Sequence, residues 1–164
     1  ELLDYTDHYG FDHYELSNFA LSGFQSQHNK IYWDQTPYLG IGPGAHSYNG
    51  NTRQWNVSDT MIYTTSVLKD QIPSYKEILT TKDRYNDYLI TRLRTKWGVS
   101  LSRIAGTFGE HYVNHLLNKA EKYFQNGLLK QTEQTILLTN EGKFISDSIL
   151  RHLIYTDEQE GKGK

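Results

Sequence analysis

The chain has 164 residues, no cysteine and a formal net charge of −2 at pH 7. Without cysteine it has no disulfide, no thiolate nucleophile, no Cys-rich zinc site and no iron–sulfur cluster held by its own thiolates. The near-balanced charge names no polyanionic partner: residues 1–57 carry net −4 and residues 58–164 net +2, too small a contrast to demand nucleic acid. Hydrophobic residues make up 37%, and 13 tyrosines supply rings that pack while keeping a hydroxyl paired or wet. No apolar run approaches the roughly 20 residues of a membrane helix, and no basic-then-apolar leader opens the chain. The expectation is a soluble, cytoplasmic protein.

In chain order, Glu1 to Tyr9 reads as the end of a polar helix stopped by Gly10. Asp12 to Ala20 reads as a strand, with aromatics at both ends. A helix tail running straight into a strand, with no initiating Met, is expected to be an α/β unit entered midway. Residues 21–57 are irregular and glycine-rich, with a short strand near Arg53 to Val57. From Ser58, read as an N-cap, the texture becomes helical, and Pro73 closes that segment. Tyr85, Tyr88, Leu89, Arg92, Leu93 and Trp97 recur at helical spacing before Gly98. A short helix at about residues 100–107 follows, then an apolar stripe from Val113 to Phe124 that stops at Gly127. Two extended runs, Leu128–Gln131 and Thr135–Leu138, precede one last helix capped by Thr139 and running to Leu153. Helix, helix, hairpin, helix is the order of a winged-helix-like module. The charged tail 157–164 is expected to be disordered.

Three places concentrate chemistry. Gly40, Gly42 and Gly44 alternate in a G-x-G-x-G run with no following amphipathic helix and no Lys-Ser/Thr, which argues against a dinucleotide or P-loop site. The run reads either as a tight bend or as backbone that passes close to a ligand. His28, Asn29, Tyr32 and Trp33 put an imidazole, a carboxamide, a phenol and an indole within six residues. Imidazole ligates iron and the aromatics stack on flat ligands, although a hydrogen-bonded structural histidine is the plainer reading. His111 and His115 stand at i, i+4, but no Glu lies between them in an H-E-x-x-H pattern, so they read as solvent-facing helix histidines. The wing-like half suggests DNA, but its candidate recognition helix offers only Lys119 and Lys122 against Glu110 and Glu121.

The runs His13-Tyr14-Glu15-Leu16-Ser17-Asn18-Phe19-Ala20, His28-Asn29-x-x-Tyr32-Trp33 and Tyr38-Leu39-Gly40-Ile41-Gly42-Pro43-Gly44-Ala45-His46-Ser47, in this order, resemble oxygen-independent coproporphyrinogen III oxidase-like radical-SAM proteins. Gly98-Val99, Gly127-Leu128-Leu129 and Leu138-Thr139-x-x-Gly142 are similar to the accessory domain of that family. The resemblance implies an α+β chain: terminal strands of a partial (β/α) barrel over residues 1–57, a mostly helical winged-helix-like C-terminal domain over 58–156, and the tail. It also implies a parent protein with a [4Fe–4S] cluster and S-adenosylmethionine (SAM). That cluster's C-x-x-x-C-x-x-C loop belongs to an N-terminal radical-SAM core missing from this chain, so the chain is expected to be a fragment that is inactive alone.

The H-N-x-x-Y-W signature resembles the haem-chaperone branch, which binds haem and passes it to acceptor proteins. Carried over by position, His28 is the expected haem-iron ligand, Tyr32 supports it, and Asn29 and Trp33 shape the site. Gly40, Gly42, Gly44, Ala45 and His46 are expected beside SAM, the last two nearest its adenosyl part. The alternatives are a true coproporphyrinogen III oxidase, acting by oxidative decarboxylation, and a winged-helix nucleic-acid-binding module.

Overall fold

The computed structural model describes residues 2–156; the tail 157–164, where disorder was expected, lies outside the described residues. Helix α1 (Leu2–His8) ends at Gly10, whose φ of 75° turns the chain into β1 (Phe11–Glu15) and β2 (Asn18–Leu21). The single strand expected over Asp12–Ala20 is thus an antiparallel hairpin, registered from Phe11↔Leu21 to Glu15↔Asn18. Its turn is made by the Glu15 carboxylate, where Oε2 accepts from the Ser17 amide at 2.9 Å and from Asn18 Nδ2 at 2.6 Å. Such local side-chain bonding reverses a chain without interrupting its apolar pattern.

Residues 27–33, expected to be irregular, form a seven-residue helix, α2 (Gln27–Trp33). Ser26 caps it by accepting the Asn29 amide at 3.2 Å. Two turns are too few for a 3.6-residue period to stand out. Beyond it, β3 (His46–Tyr48), β4 (Thr52–Asn56) and β5 (Ser74–Ile78) form an antiparallel sheet in that order. Helix α3 (Thr60–Val67) bridges β4 to β5, and its cap is Asp59 rather than Ser58: Asp59 Oδ1 accepts the Ile62 amide at 2.8 Å. Strand β5 is exposed along its whole length, so it carries no alternation to read. Because β4 and β5 pair from Thr52↔Ile78 to Asn56↔Ser74, this sheet runs across the boundary expected between residues 57 and 58.

The C-terminal half is α4 (Thr81–Leu93), β6 (Val99–Ser100), α5 (Leu101–Phe108), α6 (Glu110–Gln125), β7 (Leu129–Gln131) and β8 (Thr135–Leu138). The strands order as β6-β8-β7, giving the expected winged-helix-like arrangement. A Thr80–Asp83 capping box starts α4, which ends at Leu93 rather than running on to Trp97. The single last helix is two: α7 (Asn140–Phe144) and α8 (Ser146–Leu153), broken at Ile145. The core gathers Tyr85, Leu89, Ile104, Leu116, Ile136 and Ile149, all fully buried, which at about 25 cal/mol per Å² of apolar surface makes this half the main source of stability.

The two halves join along β1. The segment after α4 lies antiparallel beside it: the Leu16 amide donates to the Arg94 carbonyl and the Lys96 amide to the Tyr14 carbonyl, each at 3.1 Å. At the far end, His115 is half-buried rather than solvent-facing. Its Nε2 donates to the carbonyls of Leu153 (3.1 Å) and Ile154 (3.3 Å), while Asn86 grips the main chain of Tyr155.

Burial pushes the His115 imidazole below its ordinary value of 6.5, opposed by the two carbonyls and reinforced by Lys119. Burial also lowers His13 and His152. A group whose folded pKa is depressed takes up its proton more readily when unfolded. Its stabilising contribution is therefore complete above the unfolded value and is lost as pH falls toward the folded one. The urea midpoint should accordingly fall as pH drops below about 6.5, and His115→Gln, which keeps a donor, should flatten that slope. Separately, a Cβ on Gly142 would stand 2.0 Å from the Leu128 carbonyl oxygen, so Gly142→Ala should cost about 1–3 kcal/mol in urea unfolding.

Candidate haem-presenting helix and glycine-rich run

Helix α2 sorts its four motif residues onto two faces. His28 and Tyr32, one turn apart, are exposed. The Tyr32 hydroxyl and His28 Nε2 share a hydrogen bond of 3.1 Å, and the two rings stand edge-on at 5.0 Å. Asn29 and Trp33 are half-buried on the inward side. Asn29 Nδ2 donates to Asn18 Oδ1 at 3.4 Å, and the Trp33 ring meets the buried Tyr14 ring edge-on at 5.5 Å. The outward pair is thus available to a ligand while the inward pair anchors the helix.

Tyr32 also meets Tyr38 edge-on at 4.8 Å, which links α2 to the glycine-rich run. A cleft of about 160 Å³ opens between them, lined by Tyr32, Gln35, Tyr38, Tyr48, Arg53, Asp87 and Thr91. Burial raises the Tyr38 and Tyr48 phenols above 10.0, so both stay neutral hydrogen-bonding groups at physiological pH. Burial likewise raises the Asp87 carboxyl, against the pull of the Arg53 guanidinium paired with it. A second, more open cleft of about 350 Å³ runs along the inward side of α2, lined by Glu15, Ser17, Asn18, Asn29, Tyr32, Trp33 and Arg94.

The glycine run is held against the sheet. Tyr38 exchanges main-chain hydrogen bonds with Tyr48 at 2.8 and 2.9 Å, and the Gly40 amide donates to Ser47 Oγ at 3.0 Å. The Gly42 amide donates to the Tyr63 hydroxyl at 3.3 Å, its carbonyl accepts from the buried Asn56 Nδ2 at 2.9 Å, and the Gly44 amide donates to the Val57 carbonyl. Gly42 and Gly44 adopt φ of 109° and 67°, and a Cβ on Gly40 would stand 2.1 Å from the His46 carbonyl oxygen. The tight bend is present, and the close approach of Gly40 is to the chain's own strand at His46. Ala45 precedes β3, and His46 stacks on Trp55 at 6.2 Å, with Trp55 stacked in turn on Tyr75 at 6.0 Å.

The structure therefore brings His28, Asn29, Tyr32 and Trp33 onto one helix, and sets Gly40, Gly42, Gly44, Ala45 and His46 along a neighbouring sheet. His111 packs on Tyr112 at 4.2 Å, and among the described residues no group of three or more His, Asp or Glu side chains is disposed to hold a metal ion. No helix among them is long and apolar enough to cross a membrane.

Residues 79–145 match the family model for the HemN C-terminal domain. Heme chaperone HemW of Bacillus subtilis (strain 168) is 32% identical over 143 residues, covering 86% of this chain and 38% of that protein. Heme chaperone HemW of Mycobacterium tuberculosis (strain ATCC 25618 / H37Rv) is 31% identical over 146 residues, covering 88% and 35%. Over residues 79–145 the chain carries a HemN C-terminal domain, and over most of its length it is similar to the C-terminal part of these heme chaperones. The solved structure of coproporphyrinogen III oxidase (HemN) from Escherichia coli, a radical SAM enzyme, shares its fold: TM-score 0.70 at 17% identity, over 93% of this chain and 39% of that one.

The chain spans less than two fifths of the length of those curated relatives. Its own residues do not fit a [4Fe–4S] cluster held by thiolates, since it has no cysteine. They do fit a planar iron macrocycle on α2, where an exposed imidazole stands beside a phenol on an anchored helix. Sequence reasoning gave no role to Asp34 and Arg92, which tie the end of α2 to α4, or to Glu15 and Arg94, which tie β1 to the residue after α4. The one hint was Asp34, directly after Trp33 at the helix end, but its partner Arg92 lies 58 residues away. Gly40→Ala should cost about 1–3 kcal/mol in urea unfolding and alter the near-UV dichroism of the Tyr38–Tyr48 contact.

Proposed function

We propose that this chain supplies the haem-presenting helix and the accessory domain of a cytoplasmic radical-SAM protein acting in haem trafficking or porphyrin metabolism. The observation that carries the reading is the division of labour on α2, with His28 and Tyr32 exposed together and Asn29 and Trp33 turned inward. A haem group placed there would supply iron for an imidazole to bind and a flat face for aromatic contact. His28 is the iron ligand in this reading. Tyr32 holds the imidazole oriented through its hydroxyl in the free chain, and its ring would flank a haem group held by His28. The neutral phenols of Tyr38 and Tyr48 offer donors at the rim of the adjoining cleft.

The glycine run, with Ala45 and His46, is the proposed flank of SAM in the complete protein. There the cluster belongs to the part of the relatives' length that this chain does not span, and acceptor proteins would receive the haem. In this reading the barrel remnant gives way to the accessory domain near Leu79 rather than after residue 57, which the start of the family match and the end of β5 support.

Titration of the chain with hemin at neutral pH should give a shifted Soret band, and His28→Ala should weaken binding about tenfold or more, the scale of losing one directional ligand. Tyr32→Phe should change the band with a smaller loss of affinity. An identical titration for wild type and His28→Ala would sink the assignment of His28.

A further inference from the structure

Helix α2 is short, and its first and last turns are both tied to arginines at the C-terminal end of α4, Arg92 in its last turn and Arg94 at its cap. At the C-terminal end, Arg92 Nη1 donates to Asp34 Oδ1, the C-cap side chain, at 2.6 Å, and Arg103 Nη2 reaches the Asp34 carbonyl at 3.5 Å. At the N-terminal end the tie is relayed. Arg94 Nε donates to Glu15 Oε1 at 3.1 Å, Asn18 Nδ2 donates to Glu15 Oε2 at 2.6 Å, and Asn18 Oδ1 accepts from Asn29 Nδ2 at 3.4 Å. Glu15 is only 4% exposed, so its charge is satisfied by Arg94, Asn18 and the Ser17 amide rather than by water. Between the two ties, Lys30 lies over the Trp97 ring at 5.3 Å.

We infer that Arg92 and Arg94 of the accessory domain are positioning residues for α2, fixing the direction in which His28 and Tyr32 face the ligand. The inference rests on the haem reading proposed above for its consequence, while the positioning itself stands on the hydrogen-bonded chain. A seven-residue helix does not hold its shape alone in water. Its order is borrowed from α4, which is packed into the main core through Tyr85, Tyr88, Leu89 and Leu93. A rigid guanidinium fork fixed by a buried carboxylate transmits orientation where a flexible ammonium does not. The accessory domain thereby acts on the ligand face without touching it.

The test uses this chain with Arg94→Ala, Arg94→Lys, Arg92→Ala and Asn18→Ala, read first by amide hydrogen exchange. Arg94→Ala and Arg92→Ala should speed exchange across residues 27–34 and leave α6 protected, and Arg94→Lys should restore only part of the protection. Hemin affinity should fall about tenfold in Arg94→Ala, and this loss should disappear in a His28→Ala background, as coupling through a shared element requires. Should Arg94→Ala expose α6 as well, Asn18→Ala decides, because it cuts the relay while leaving the Glu15–Arg94 pair. Unchanged exchange at residues 27–34 in Asn18→Ala and Arg92→Ala, with α6 protected, would overturn the inference. Hemin binding indifferent to His28 would remove the haem reading alone, since the exchange result is independent of it.

Discussion

The join between β1 and the end of α4 is the constraint on which the arrangement depends. Two main-chain hydrogen bonds lay residues 94–96 beside β1, and the buried Glu15 carboxylate is clasped by Arg94 from one side and by its own turn from the other. A buried carboxylate is tolerated only where such partners are complete. The clasp therefore fixes three things together: the hairpin turn, the approach of the accessory domain, and the bed on which α2 rests. Tyr14 extends that bed, 3% exposed and wedged between Trp33 and Trp97.

From this join the division between scaffold and site follows. The winged-helix-like half owns the large apolar core, whereas α1, the hairpin, α2 and the three-stranded sheet contribute few buried side chains. Stability is concentrated where no ligand is proposed, and the ligand face sits on an element that depends on its neighbours for order. That is a common arrangement for binding surfaces, because a segment with little core of its own tolerates side chains chosen for chemistry rather than packing. The wing-like topology here serves as that scaffold. On its candidate recognition helix, the exposed Lys122 sits over the Tyr123 ring and against His152.

The tie to α4 also gives the accessory domain a place in the chemistry. The match to the HemN C-terminal domain begins at Leu79 and includes Arg92 and Arg94, while the residues proposed to meet haem lie entirely before it. Family and fold thus meet at the junction, and the glycine run completes it from the other side through the Tyr32–Tyr38–Tyr48 contacts.

Much of this was legible in the amino-acid order. Helices α4 and α6 were readable because their apolar residues recur every three to four positions over more than three turns. Strands β7 and β8 stood between a glycine stop and a threonine cap, and the three motif runs pointed to the family and to His28, Asn29, Tyr32 and Trp33 as a set. The β1–β2 turn, the helical state of residues 27–33, strand β5 and the break at Ile145 were not readable. Each turns on something that periodicity does not carry: a carboxylate bonding its own turn, a two-turn helix tied to distant arginines, a strand exposed throughout that pairs with β4, and the non-helical backbone of Ile145. Sequence by itself determined which residues carry chemistry, because side-chain type is local. Only the tertiary structure decided that His28 and Tyr32 face outward while Asn29 and Trp33 face in, because that orientation is set by Glu15, Arg92 and Arg94, brought to α2 from across the chain.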